Sequence, residues 1–163
     1  IMFPGIIQNS SYTTNIIEEN GRRFCVAQVT GNVIGIDKLY DSDHDFSVVL
    51  NKNGWYHAND YMKLELSAES KQYFNIFIVN DKVTRLYPNS LQESMKTDEL
   101  TVPNSNYVVR MVKDDNPNEL LGVVSSKKPF QMNDFYNVKD FTDKLMDMKT
   151  KKFRIRMYDF VVQ

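Results

Sequence analysis

The chain has 163 residues, 42% hydrophobic and 25% charged, which suits a globular domain and argues against wholesale disorder. Its 20 basic and 21 acidic residues leave a net charge of -1, so no global field draws it to nucleic acid or to an anionic membrane. A single cysteine, Cys25, excludes an internal disulfide and any zinc site built on two thiolates.

Nine Tyr and ten Phe favour strands. No apolar run approaches the roughly 18 residues that span a bilayer. The first residue is Ile1 rather than Met, from which a trimmed N-terminus is expected; a removed signal peptide or a boundary chosen for expression would both produce it.

In chain order, Arg23 to Val29 reads as a strand closed by Thr30-Gly31-Asn32, with a second short strand from Val33 to Ile36. Asp37 to Asp45 is polar and acidic, as a loop would be. Phe46 to Leu50 restarts an apolar pattern, stopped by Asn51-Lys52-Asn53-Gly54. Tyr61 to Leu66 alternates, with Met62, Leu64 and Leu66 inward and Lys63 and Glu65 outward, as in a strand with one wet face. Tyr73 to Val79 is apolar on both faces, which predicts a central strand covered on both sides. Asn80-Asp81 suits a two-residue hairpin turn at positive φ, and Lys82 to Leu86 returns antiparallel.

Ser90 to Glu99 is polar and predicted as a long loop. Leu100-Thr101-Val102 before Pro103 predicts a short edge strand. Tyr107 to Val112 and Leu120 to Ser125 read as strands joined by a turn at Lys113 to Asn118. One helix follows: Asn137 is the N-cap, Asp140 stands at N3, and Tyr136 and Phe141 form a hydrophobic staple. Val138, Phe141, Leu145 and Met148 would face the core, and Lys149 to Lys152 suit its C-terminus. In the last strand Phe153, Ile155 and Met157 point inward and Lys152, Arg154 and Arg156 outward. About eight or nine strands with one late helix favour a mainly β sandwich over a doubly wound sheet.

A further pattern runs from Tyr56 to about Phe130: Tyr56 and Asp60, the alternating Met62 to Leu66, the apolar Tyr73 to Val79, the turn Asn80-Asp81, then Leu86-Tyr87-Pro88-Asn89, Val102-Pro103, Tyr107 to Met111 and Leu120 to Ser126. In this order and spacing the stretch resembles a bacterial domain of unknown function, family 4384. Tyr87 replaces that family's usual phenylalanine, and the turn lacks its Asp-Gly. The resemblance implies an immunoglobulin-like β-sandwich acting as an accessory or interaction module, without catalytic residues to carry over. Such modules occur in bacterial envelope proteins, or beside kinases and caspase-like peptidases. Residues 1–36 fall outside the pattern, so the expected organisation is one sandwich domain over 1–163, with 1–36 a possible extension packed on it.

Candidate chemistry is sparse. Asp41, Asp43 and Asp45 alternate as a calcium loop might begin, but Phe46 stands where an EF-hand needs glycine and Lys52 where it needs a bidentate glutamate. A looser cation site competes there with a plain solvated loop. Cys25 with His44 or His57 could pair as thiol and imidazole, yet a cysteine within an apolar strand reads first as a small buried hydrophobe. No nucleophile elbow, phosphate loop or dinucleotide fingerprint occurs, so no cofactor, metal or catalytic residue is expected. Carboxylates such as Asp60 and Glu65 make a glycosidase pair only if geometry brings them together.

Two groups remain as binding candidates. Trp55, Tyr56 and His57 follow a turn and could stack on a glycan or a protein, with packing the plainer role for Tyr56. Lys152, Arg154 and Arg156 could hold an anion, or simply solvate a strand face and guard an edge. The expected function is a non-enzymatic interaction module of an envelope or secreted protein, outside the cytoplasm. The alternatives are an intracellular regulatory domain and a small enzyme, whose pocket would join His57 or Asp60 to other strands.

Overall fold

The structure is a computed structural model that describes residues 5–35, 45–113, 118–149, 151 and 153–163. The chain divides into two compact units, 1–37 and 38–163.

The first unit is a hairpin of β1 (Gly5–Glu19) and β2 (Arg22–Gly35). Asn20 and Gly21 turn the chain with φ of 52° and 71°, the doubly left-handed turn whose twist matches a two-stranded ribbon. Sequence reading placed a break at Thr30-Gly31-Asn32, but β2 runs straight through it. Gly31 is absorbed by a bulge instead: Gln8 pairs with Asn32 and Ser11 with Thr30, so Asn9 and Ser10 share one opposing residue. Residues 13–28 are all exposed.

In the second unit the strands are β3 (Phe46–Leu50), β4 (Trp55–Tyr56), β5 (Tyr61–Met62), β6 (Leu64–Val79), β7 (Val83–Tyr87), β8 (Thr97–Val102), β9 (Val109–Arg110), β10 (Asn118–Ser126), β11 (Phe135–Tyr136) and β12 (Arg154–Val162), with the helix α1 (Val138–Lys149) before the last. The organiser is β6, sixteen residues long. Its first half pairs with β3 on one side and β8 on the other; its second half pairs with β7 and β10. A register shift between Ser67 and Gln72 separates the halves along the β8 side. One strand thus serves a small sheet, β3-β6-β8, and a larger one, β11-β7-β6-β10-β12-β4, in which only the β12–β4 pair is parallel.

The alternation of β6 dictates its burial. Leu64 and Leu66 turn inward with Phe46, Leu100 and Val102, and pack in one core with Phe74, Ile76, Leu121, Val123 and Phe160. Lys63, Glu65 and Ser67 stay wet. On the opposite face of the larger sheet, Phe77 meets Phe141 of α1 at 4.9 Å between ring centroids. The helix approaches closely because Gly122 lies beneath it: a Cβ there would meet Met157 Sδ at 3.2 Å and Phe141 Cζ at 3.5 Å. Predicted cap and staple are both present: Asp140 N–H donates to Asn137 Oδ1 at 2.8 Å, and the Tyr136 and Phe141 rings lie 5.6 Å apart. Val138, Phe141, Leu145 and Met148 are buried.

Local departures are instructive. Val79 pairs with Val83, leaving three turn residues rather than two, and neither Asn80 nor Asp81 takes positive φ. Asn80 builds the turn through its side chain, accepting from Lys82 N–H at 3.0 Å. The expected loop from Ser90 ends earlier, because β8 begins at Thr97. The expected strand Tyr107 to Val112 shrinks to the two residues of β9. Among the described residues no helix is long and apolar enough to cross a membrane.

Candidate functional site

The corner before β4 fixes the first group of candidates. Lys52, Asn53 and Gly54 take successive φ values of 54°, 52° and 75°. Gly54 is buried there, and its positive φ is what calls for glycine, since a Cβ on it would meet Phe160 Cβ at an ordinary 3.4 Å. This corner lays β4 beside the end of β12. Strand alternation then sends Trp55 out, 61% exposed, and Tyr56 in, 1% exposed. The Tyr56 ring meets Phe160 edge-on at 6.1 Å, and its hydroxyl donates to Asn51 Oδ1 at 2.8 Å. Burial, and then the Asp60 carboxylate, push Tyr56 up to about 12. As a binding residue Tyr56 is therefore corrected to a core residue; Trp55 and His57 remain on the surface.

Asp60 is spoken for as well. Lys52 Nζ reaches its Oδ1 at 2.6 Å and His57 N–H its Oδ2 at 2.8 Å, which together hold it below the ordinary carboxylate value. A general acid needs the opposite shift.

The basic row also divides. Lys152 lies outside the described residues, and Arg154 is exposed. Arg156 is half-buried: its Nη1 donates to the Phe46 carbonyl at 3.3 Å, and its guanidinium lies 4.7 Å from the Tyr158 ring centroid. The arginine does guard a strand edge, but that of β3 rather than its own. The expected acidic loop from Asp41 to His44 lies outside the described residues. Asp45 follows it, half-buried, with one carboxylate oxygen unpartnered. Among the described residues no cluster of three or more His, Cys, Asp or Glu could hold a metal. Cys25, expected as a buried hydrophobe, is exposed.

What the fold does assemble is a groove that the sequence did not announce. It has a volume of about 660 Å³ and is lined chiefly by Tyr61, Lys63, Pro103, Asn104, Tyr107 and Val108. Two side-chain amides hold its walls. Asn51 Nδ2 donates to the Tyr61 carbonyl at 2.9 Å, and its Oδ1 accepts from Lys63 N–H at 2.7 Å. On the other wall, Gln92 Nε2 donates to the Thr101 carbonyl at 2.8 Å, while its Oε1 accepts from Tyr107 Oη at 2.9 Å and Asn104 N–H at 3.2 Å. Gln92 is itself placed by Asn89, whose Oδ1 accepts from Gln92 N–H at 2.9 Å and whose Nδ2 donates to the Leu86 carbonyl at 2.8 Å. The string Leu86-Tyr87-Pro88-Asn89 thus ends a strand and turns the chain, as its composition suggests. Tyr87 is fully buried and its hydroxyl accepts from Met95 N–H at 3.1 Å. The bonds before Pro88 and Pro103 are cis.

A surface strip continues the groove. Around β9, Val109 and Met111 turn inward while Val108, Arg110 and Val112 stay out. Arg110 pairs with Tyr61 across the β5–β9 ladder and lies 5.8 Å over its ring. Val108 is 68% and Val112 72% exposed. Comparisons with family models, with curated proteins and with solved structures find no match to the chain.

Chemically, the groove offers apolar walls and tyrosine rings. Its cation is engaged: Lys63 Nζ lies 2.8 Å from Glu65 Oε1. Such a surface suits an uncharged, extended ligand with apolar side chains. Its residues come from three separate chain segments, at Asn51, Tyr61 to Lys63 and Thr101 to Val108. The local signal available was the placement of Tyr61 on the outward side of the alternation with Lys63, and of Val108, Arg110 and Val112 on one side of their own run.

Proposed function

We propose that the chain is a non-enzymatic interaction module and that the groove of Tyr61, Pro103, Tyr107 and Val108, with the strip through Arg110 and Val112, is where a protein partner binds. The observation that carries this reading is the juxtaposition of an apolar groove with exposed Tyr, Arg and Val side chains on a rigidly braced scaffold. Tyr and Arg are the residues that dominate binding at protein interfaces. The bracing matters too, since preorganised walls lower the ordering cost of association.

The resemblance to family 4384 supports the same reading and supplies the setting: an accessory module of a bacterial envelope or secreted protein, outside the cytoplasm. Two strand groups that share β6 and one hydrophobic core support the finer proposal of an immunoglobulin-like sandwich.

A photo-reactive phenylalanine analogue at Val108 tests the proposal in cells that make the protein. A discrete cross-linked protein adduct is expected, lost when Tyr61→Ser is added. The absence of any adduct, or an adduct that survives Tyr61→Ser and Tyr107→Ser together, would overturn the groove as the binding surface.

A further inference from the structure

The two units treat their strand edges in opposite ways. In the small sheet the outward groups of β8 are closed by side chains: Thr97 Oγ1 donates to the Glu99 carbonyl at 2.6 Å and accepts from Glu99 N–H at 3.1 Å, and Gln92 covers the Thr101 carbonyl. Arg156 covers the Phe46 carbonyl of β3. Side chains that occupy edge carbonyls and amides leave no template for an added strand.

Over its described side chains, Arg22–Gln28, β2 carries no such device. Neither β1 nor β2 contains a Lys or a Pro, and the only charges from Gly5 to Gly35 are Glu18, Glu19, Arg22 and Arg23 at the tip. These cancel across the ladder, where Glu18 pairs with Arg23 and Glu19 with Arg22. Ile16, Ile17, Phe24 and Val26 are exposed, Ile16 by 75%. A two-stranded ribbon in water is marginal; three or more strands are needed for independent stability.

We infer that the hairpin pairs with the hairpin of a second copy of this chain, β2 against β2, to form a four-stranded antiparallel sheet. Three observations select that occupant and edge. Over residues 13–28, whose side chains are described and exposed, the hairpin leaves its edges uncapped, so a like hairpin is a complementary partner. The bulge at Asn9 and Ser10 belongs to β1 and interrupts its edge, whereas β2 is unbroken from Arg22 to Gly35. The tip charges set the direction: parallel pairing would bring Arg22 and Arg23 of both copies together, while antiparallel pairing sends them to opposite ends. The antiparallel arrangement is two-fold symmetric and closes on itself.

In a ladder closed by a two-residue turn, alternate residues direct their backbone groups away from the partner strand. On β2 these are Cys25 and Ala27; on β1 they are Thr14 and Ile16. A proline at Ala27 or Thr14 therefore removes an outward N–H and spares the hairpin's own ladder.

The test is sedimentation equilibrium of the full chain over a concentration series, with Ala27→Pro and Thr14→Pro as variants. A dimer is expected, with its dissociation constant raised about tenfold or more by Ala27→Pro and little changed by Thr14→Pro, a difference of about 1.4 kcal/mol or more. Cys25 supplies an independent reading without any substitution in the strand. A nitroxide on this exposed thiol should report one discrete distance between copies by pulsed dipolar spectroscopy. A monomer at every concentration with no dipolar modulation overturns the inference. So does a dimer that Ala27→Pro leaves intact, or one that Thr14→Pro breaks instead.

Discussion

The hairpin from Gly5 to Gly35 and the unit from Phe46 to Val162 are both built mainly of antiparallel strands, yet they are stabilised by different means. The second unit buries both faces of its central strand, one in the main core and one toward α1, and caps edge groups with Arg156, Gln92 and Thr97. The hairpin has its turn and its ladder, with residues 13–28 exposed on both faces. Backbone pairing and β-propensity alone therefore do not make an edge safe or a fold stable; burial and side-chain caps do that.

The largest effect should come from breaking the second unit where helix meets sheet. Phe141→Ala removes a fully buried ring that touches Phe77 and Tyr136, and should cost about 3–5 kcal/mol in urea unfolding. Gly122→Val attacks the same contact from the sheet side.

Next comes the loss of an edge cap. Gln92→Ala removes the partners of the Thr101 carbonyl, Tyr107 Oη and Asn104 N–H, and should cost about 1–3 kcal/mol. It should also expose β8 as a pairing edge. Faster aggregation by light scattering, at conditions where the folded fraction matches the parent, would read that exposure; unchanged aggregation would argue that Gln92 braces the groove without protecting the edge.

A third prediction concerns alkaline pH. Burial raises Tyr56 and Tyr158 from the ordinary 10.0 to about 12. The folded state then holds protons that the unfolded chain releases, so stability is intact below pH 10 and falls as pH climbs toward about 12. Tyr158→Phe should make that fall shallower.

The smallest effect is at the acid end. Lys52 and the His57 N–H keep Asp60 below its ordinary value, so its contribution is present above the ordinary carboxylate range and is lost as pH falls through the depressed value. Asp60→Asn should flatten that part of the acid unfolding curve, measured by circular dichroism, and leave the alkaline limb untouched.

Local sequence determined a good deal. The apolar run Tyr73 to Val79 became the shared central strand, Met62 to Leu66 kept one wet face, and Asn137, Tyr136 and Phe141 opened the helix as their spacing predicts. These are short-range facts, set by side-chain period and by backbone groups within a turn of one another. Tertiary structure decided the rest. Trp55 and Tyr56 are adjacent aromatics, and only the pairing of β4 with β12 settles that one is surface and the other core. Arg156 looked like a free cation until Phe46, 110 positions earlier, took its hydrogen bond. The groove depends on Asn51 reaching Tyr61 and Lys63, and on Gln92 reaching Thr101 and Tyr107. Period and propensity describe a residue and its neighbours along the chain, whereas burial and polar partnership belong to segments that only folding brings together.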